Sequence, residues 1–194
     1  MEEDMSKVNV KPTTTTMFPL PVVLVTCVDA SGKPNIITLA WVGVVNSEPP
    51  MFSISIQPSR HSHGLVKASQ EFVVNIPSEE MIRKVDLCGI VSGRDVDKFS
   101  ETGFTSVPGD EVSPPLIEEC RVNLECKVRR IIPLGSHDLF LGEIVAIHID
   151  DTILKEKGRI NIAKALPVAY CGGAHEYWSM GKKLGWYGYT KGKL

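Results

Sequence analysis

Val22–Val28 is an unbroken apolar run, largely β-branched, closed by the turn-forming stretch Asp29-Ala30-Ser31-Gly32-Lys33-Pro34. Apolar character resumes over Asn35–Val45, and two such runs around a Gly/Pro turn predict a β-hairpin. Asn46-Ser47-Glu48-Pro49-Pro50 ends the second run, because proline lacks an N–H and restricts its predecessor. Met51–Gln57 then alternates, with Phe52, Ile54 and Ile56 on one face and Ser53, Ser55 and Gln57 on the other. The serine face offers hydroxyls to something other than a core.

The polar connector Pro58–Gly64 opens a short helical segment over Gly64–Ser69, and Glu71–Ile76 reads as a strand that Pro77 ends. Ser78, Glu79 and Glu80 mark a helix start, a capping hydroxyl followed by acids near the positive helix end. That helix runs toward Gly89 on Met81, Ile82, Val85, Leu87 and Cys88; a second short helix follows Arg94 and ends near Gly103. Pro108–Pro115 is loop. From Cys120 to Arg129 apolar and polar residues alternate strictly, which predicts a long strand with one buried and one wet face. Leu139–Ile149 is apolar on both faces apart from Glu143 and His148, so it is expected centrally, covered on both sides. The connector Pro133–Asp138 pairs these two as a hairpin. About six strands joined by short loops favour a closed barrel, which leaves no free edge.

Composition narrows the class without naming it. With 194 residues, 43% hydrophobic and 23% charged, the chain fits one globular domain with a real core. A net charge of −2 gives no electrostatic reason to expect nucleic acid or an anionic membrane as partner. No apolar run approaches the roughly 20 residues that cross a bilayer. Met1–Lys11 is polar and acidic where a secretory signal is basic and then apolar, so a cytoplasmic location is expected. The five cysteines form no C-x-x-C pair and read as small buried hydrophobes, Cys120 and Cys126 sharing one packing stripe.

Common catalytic motifs are missing: no G-x-G-x-x-G after a strand, no P-loop spacing, no H-E-x-x-H, no G-x-S-x-G. What remains is a constellation in the first half, spread over residues 35–41, 53–57, 59–62, 75, 92–94 and 97–99. His61 and His63 would share a face on a strand as a metal pair, but no third ligand joins them in sequence, and no metal site is expected. The tail, His175–Leu194, interleaves Tyr177, Trp178, Trp186, Tyr187 and Tyr189 with Lys182, Lys183, Lys191 and Lys193. Such a pattern suits single-stranded nucleic acid or an arm packing on a neighbouring subunit; no basic groove elsewhere continues the first, which favours the arm.

Three stretches carry a resemblance: GKPNIITLAWVGVVNSEPPMFSISIQPSRHSHGLVKASQEFVVNIP (32–77), CGIVSGRDVDKF (88–99) and GSHDLFLGEIVAIHID (135–150). In this order and spacing the run Pro19–Asp150 resembles the flavin reductase-like, FMN-binding split-barrel family, its flavoredoxin branch above all. The resemblance implies a mainly β fold, a six-stranded Greek-key split barrel with a few short helices and an extended C-terminal arm. It implies an FMN-binding domain over 1–170, the arm over 171–194, and a homodimer holding non-covalent FMN near its interface. By position, Asn35, Thr38, Leu39, Ala40 and Trp41 would follow the flavin ring and ribityl chain, and Ser53, Ser55 and Ile56 the neighbouring strand. Arg60, His61 and Ser62, with Ser59, would take the phosphate. Asn75, Cys88, Ser92, Gly93 and Lys98 would close the far side.

The chemistry of those residues is consistent with the assignment. A phosphate monoester carries nearly two negative charges; Arg60 offers a planar fork of donors, Ser59 and Ser62 hydroxyls, and a helix start its free amides. An ordinary solvated arginine is the bland alternative. Lys98 reads either as an ammonium that stabilises the reduced flavin at its pyrimidine edge or as an exposed lysine paired with Asp95 or Glu101. Trp41 reads as a flavin neighbour, an interface residue or a plain core aromatic. His137, in Ser136-His137-Asp138, aligns with a region where some family members turn a histidine toward nicotinamide; His175 would reach a partner's flavin or sit on the surface. Electron transfer through FMN requires no protein acid or base, so no catalytic residue is named. NAD(P)H is a possible donor and another redox protein a possible partner. The alternative is a non-enzymatic split barrel that binds haem or senses flavin.

Overall fold

The computed structural model describes residues 6–13 and 16–191; residues 1–5 of the acidic N-terminal segment and 192–194 of the arm lie outside the described residues. In chain order the strands are β1 (Leu20–Pro21), β2 (Val23–Val28), β3 (Pro34–Leu39), β4 (Val42–Ser47), β5 (Pro50–Ile56) and β6 (Glu71–Ile76). They continue as β7 (Ser106–Val107), β8 (Leu116–Ile117), β9 (Val122–Pro133), β10 (Asp138–Ile149), β11 (Val168–Cys171) and β12 (Glu176–Ser179). The helices are α1 (His61–Ser69), α2 (Ile82–Ile90), α3 (Lys98–Thr102) and α4 (Ile162–Ala165). No helix among the described residues is long and apolar enough to cross a membrane.

The main sheet runs β3-β2-β6-β9-β10-β5-β4. Its inner face carries Val25, Ile54, Phe72, Val74 and Phe140, all at most 1% exposed. A Cβ at Gly142 would stand 2.6 Å from the Phe72 ring, so glycine is needed where β10 crosses that ring. Leu24 and Ile36, on the outer face of the β2–β3 hairpin, pack with Val85, Cys88 and Phe99 of α2 and α3. This two-sided burial explains why 22–28 is apolar at nearly every position.

The apolar run 35–45 is two strands. Ala40 and Trp41 carry the chain from β3, at one sheet edge, to β4, at the other, which raises the expected six strands to seven in the main sheet. An apolar pattern cannot distinguish one long strand from two that meet at a corner. The barrel is also not closed: among the described residues no ladder joins β3 to β4 or β5, while the Ser55 amide, donating to the Trp41 carbonyl at 3.0 Å, extends the β4–β5 ladder up to the seam. The barrel is split there.

Other expectations are corrected locally. The predicted wet face of β9 is covered only in its middle: Arg129 stays exposed, but Asn123 is 6% exposed and Glu125 fully buried, because the Glu125 carboxylate accepts the amides of Asp110, Glu111 and Val112 and pulls that loop onto the strand. Cys120 precedes β9 and packs in the α2 layer, whereas Cys126 lies inside the barrel, so they share no stripe. β10 is central but only half covered, with Ile147 55% exposed. Ser78 makes no side-chain cap; its segment pairs with Pro167, a 3₁₀ turn over Glu79–Met81 intervenes, and α2 begins at Ile82. α3 ends at Gly103 (φ 61°) as the sequence suggests but starts at Lys98, four residues after Arg94, where Asp97 accepts from the Phe99 and Ser100 amides. β12 pairs with β11, and beyond it Trp186 and Tyr187 stand exposed.

Candidate functional site

Two cavities of about 230 and 290 Å³ share Ile37, Gln57, Arg60 and Gly89 and form one cleft along the seam of the barrel. Its parts differ in chemistry. The first lies between the β5–α1 connection and the segment after α2. Pro58 stops β5, Arg60 takes extended geometry at the N-cap (φ −71°, ψ 138°), and α1 begins at His61, three residues earlier than the sequence suggests. The opening turn of a helix leaves amides without intrahelical acceptors. Ser62, 2% exposed, accepts the Asn35 side-chain amide at 2.8 Å.

The facing wall is Cys88–Gly89, Ser92–Arg94 and Lys98. Lys98 is 4% exposed and donates to the Cys88 carbonyl at 2.7 Å, near the end of α2. The reading of Lys98 as an exposed partner of Asp95 or Glu101 is therefore wrong. It also lines the same cavity as Arg60, His61 and Arg94, not the aromatic one. Among the described residues no carboxylate lines this cavity. Burial, and then the charges of Arg94 and Lys98, lower the His61 pKa from its ordinary value; burial lowers that of Lys98. Among the described residues the Arg60 guanidinium makes no hydrogen bond or salt bridge, so it is free for a ligand. This part of the cleft is cationic.

The second cavity is lined by Thr38, Leu39, Ala40 and Trp41 from one side of the seam and by Ser55 and Ile56 from the other. His137 stacks obliquely on Trp41, ring centroids 4.6 Å apart, and Tyr170 closes the end. Burial and the Arg60 charge lower the His137 pKa. His175, at φ 56°, meets Tyr170 Oη at 3.3 Å but lines neither cavity.

Most of the sequence-derived constellation meets here. Ser59, Arg60, His61, Ser62, Cys88, Ser92, Gly93 and Lys98 line the cationic part; Thr38 to Trp41, Ser55 and Ile56 line the aromatic part. Asn35 lies behind the wall. Two residues fall elsewhere. Ser53 donates to the Gly43 carbonyl at 3.2 Å beneath β4. Asn75 is fully buried on the opposite side of β6, bonded to the Leu24 carbonyl, the Ile117 amide and Asn123. His63 is no partner of His61: it turns away to Asp138 at 2.9 Å and packs on Phe140, since two residues along a helix is over half a turn. Gln57, Gly89, Arg94 and Tyr170 line the cleft without having been assigned roles. Arg94 had a signal in its Ser-Gly-Arg loop; Tyr170 had none, arriving from a strand far away in sequence.

A second cluster, Asp110, Glu125 and His148, brings potential metal-ligand atoms within 4.8 Å. Three backbone amides and His148 Nε2 (2.6 Å) already occupy the Glu125 oxygens, so the group acts as a staple for the 109–112 loop.

Residues 15–179 match the flavin reductase like domain. The chain belongs to that family. Flavoredoxin of Desulfovibrio vulgaris (Miyazaki F) superposes with a TM-score of 0.88 at 31% identity, covering 93% of this chain and 97% of the other. Flavoredoxin from Methanosarcina acetivorans gives 0.84 at 31%, covering 93% and 95%. An NADH:riboflavin 5'-phosphate oxidoreductase of Streptomyces pristinaespiralis is 30% identical over 131 residues, 68% of this chain and 72% of that one. The flavin reductase-like split barrel is thus the architecture, and its seam is the cleft described above.

Proposed function

We propose that the chain binds FMN non-covalently along this cleft and exchanges electrons through it, as a flavoredoxin-type carrier. One observation carries the reading: a single cleft has a carboxylate-free cationic part and an aromatic part, matching the two ends of a phosphorylated flavin. Arg60 supplies a fork of donors to the phosphate, Ser59 and Ser62 add hydroxyls, and Lys98 adds a buried charge held in place by the Cys88 carbonyl. Trp41, His137 and Tyr170 wall the ring. The bound flavin supplies the redox chemistry, and the protein supplies position, charge and exclusion of water. An apolar strip on edge strand β4, Val44 and Val45 at 73% and 51% exposed beside Trp41 at 39%, supports a homodimer in which a second copy covers it.

Arg60→Ala is expected to weaken FMN binding by about 1.5–3 kcal/mol, the range for hydrogen bonds to charged groups, while leaving riboflavin binding unchanged. Titration by flavin fluorescence reads both. Equal effects on the two ligands, or none, would remove the phosphate assignment. Anaerobic addition of NADH and NADPH to the yellow protein tests the donor. Bleaching makes it a reductase of the kind seen in the Streptomyces relative; bleaching only with a protein donor makes it a carrier.

A further inference from the structure

The two walls of the cationic part of the cleft are tied together at two depths. At the floor, Gly93 lies directly on Asn35 and His61: a Cβ there would stand 2.7 Å from Asn35 Cγ and 3.0 Å from His61 Cδ2. Asn35 in turn is bonded to Ser62, so the 92–94 segment sits on the first turn of α1 with no gap between them. At the rim, Arg94 Nη1 donates to the Ser59 carbonyl at 3.2 Å and bridges the two walls in solvent. The Arg94 backbone is set by its own turn, its amide bonded to Ser92 Oγ at 3.2 Å.

A ligand whose ring lies against Trp41 and Tyr170 would bring its phosphate into the cavity that these two ties bound. A terminal phosphomonoester fits such a cavity. A dinucleotide has to continue past it, and the Arg94–Ser59 bond spans the two walls between which it would leave. We propose that this clasp makes the site selective for a flavin that ends in phosphate and against one that carries an adenylate beyond it. The inference rests on the FMN reading and names what sets its specificity.

Selectivity of this kind is built by obstruction as well as attraction, so it shows in the ratio of two affinities. The full chain, stripped of flavin, is titrated with FMN, riboflavin and FAD by fluorescence quenching, and the same is done for Arg94→Ala and Arg94→Lys. Arg94 is exposed and its loss strands no buried group; melting curves confirm the fold. The wild type is expected to bind FAD at least about a hundredfold more weakly than FMN. Arg94→Ala should narrow that ratio by about tenfold or more, with FAD binding tighter in absolute terms. Loss of a positive charge alone would weaken both phosphorylated flavins, which separates the clasp from simple electrostatics. Equal wild-type affinity for FMN and FAD overturns the proposal, as does a ratio unchanged in both variants. Failure of the wild type to bind any flavin overturns instead the reading on which it rests.

Discussion

Replacing Gly93 by alanine tests whether the cleft is assembled as described. The new methyl would sit 2.7 Å from Asn35 Cγ and 3.0 Å from His61 Cδ2, where carbon atoms normally keep about 3.5–4.0 Å apart. Something must therefore move by roughly an ångström. Asn35 is 6% exposed and its amide is committed to Ser62, so displacing it forfeits a buried hydrogen bond worth about 1 kcal/mol. If Asn35 holds, the 92–94 segment is forced outward, with an overpacking cost of about 1–3 kcal/mol or a reshaped phosphate cavity. The losses divide between folding and binding, so both are measured: urea unfolding of the flavin-free chain, and FMN titration. Together they should fall by about 1–3 kcal/mol. A variant with unchanged unfolding midpoint and unchanged FMN affinity would refute the packing of Gly93 on Asn35.

Glu125 gives a pH-dependent prediction. Burial acts to raise its pKa, but hydrogen bonds from Asp110, His148, Glu111 and Val112 outweigh it and leave the carboxyl below its ordinary value. A depressed folded pKa adds stability that is complete above the unfolded value and lost as pH falls through the folded one. Glu125→Gln should cost about 1.5–3 kcal/mol at neutral pH and flatten the acid side of the stability curve. A wild-type-minus-variant difference independent of pH would contradict this. His61 is depressed by burial, Arg94 and Lys98, so a bound phosphate should raise it and binding should take up a proton. FMN affinity is then expected to rise, as pH falls toward the ordinary histidine range, more in the wild type than in His61→Gln, with riboflavin unaffected. Calorimetry in buffers of different ionisation enthalpy counts the proton directly; no uptake rejects the placement of His61 at the phosphate.

The local pattern determined a good deal of this protein. The β2–β3 hairpin, β5 with Ser55 on its cleft face, β6, the β9–β10 hairpin and a short helix ending at Gly103 follow from alternation and turn residues, all short-range effects. Arg60 at a helix mouth was legible for the same reason. What the sequence could not carry was which surfaces meet. Asn75 and Glu125 look like solvent or ligand residues until loops over 109–117 fold onto them. Lys98 looks exposed until α3 brings it to the end of α2 and beside Arg60. The break at Ala40–Trp41 is invisible in an apolar run, yet it sends the chain to the opposite sheet edge and opens the seam that becomes the cleft. Periodicity records the environment of each residue along its own strand; the cleft is made by pairings between segments distant in sequence, and only the folded sheet decides those.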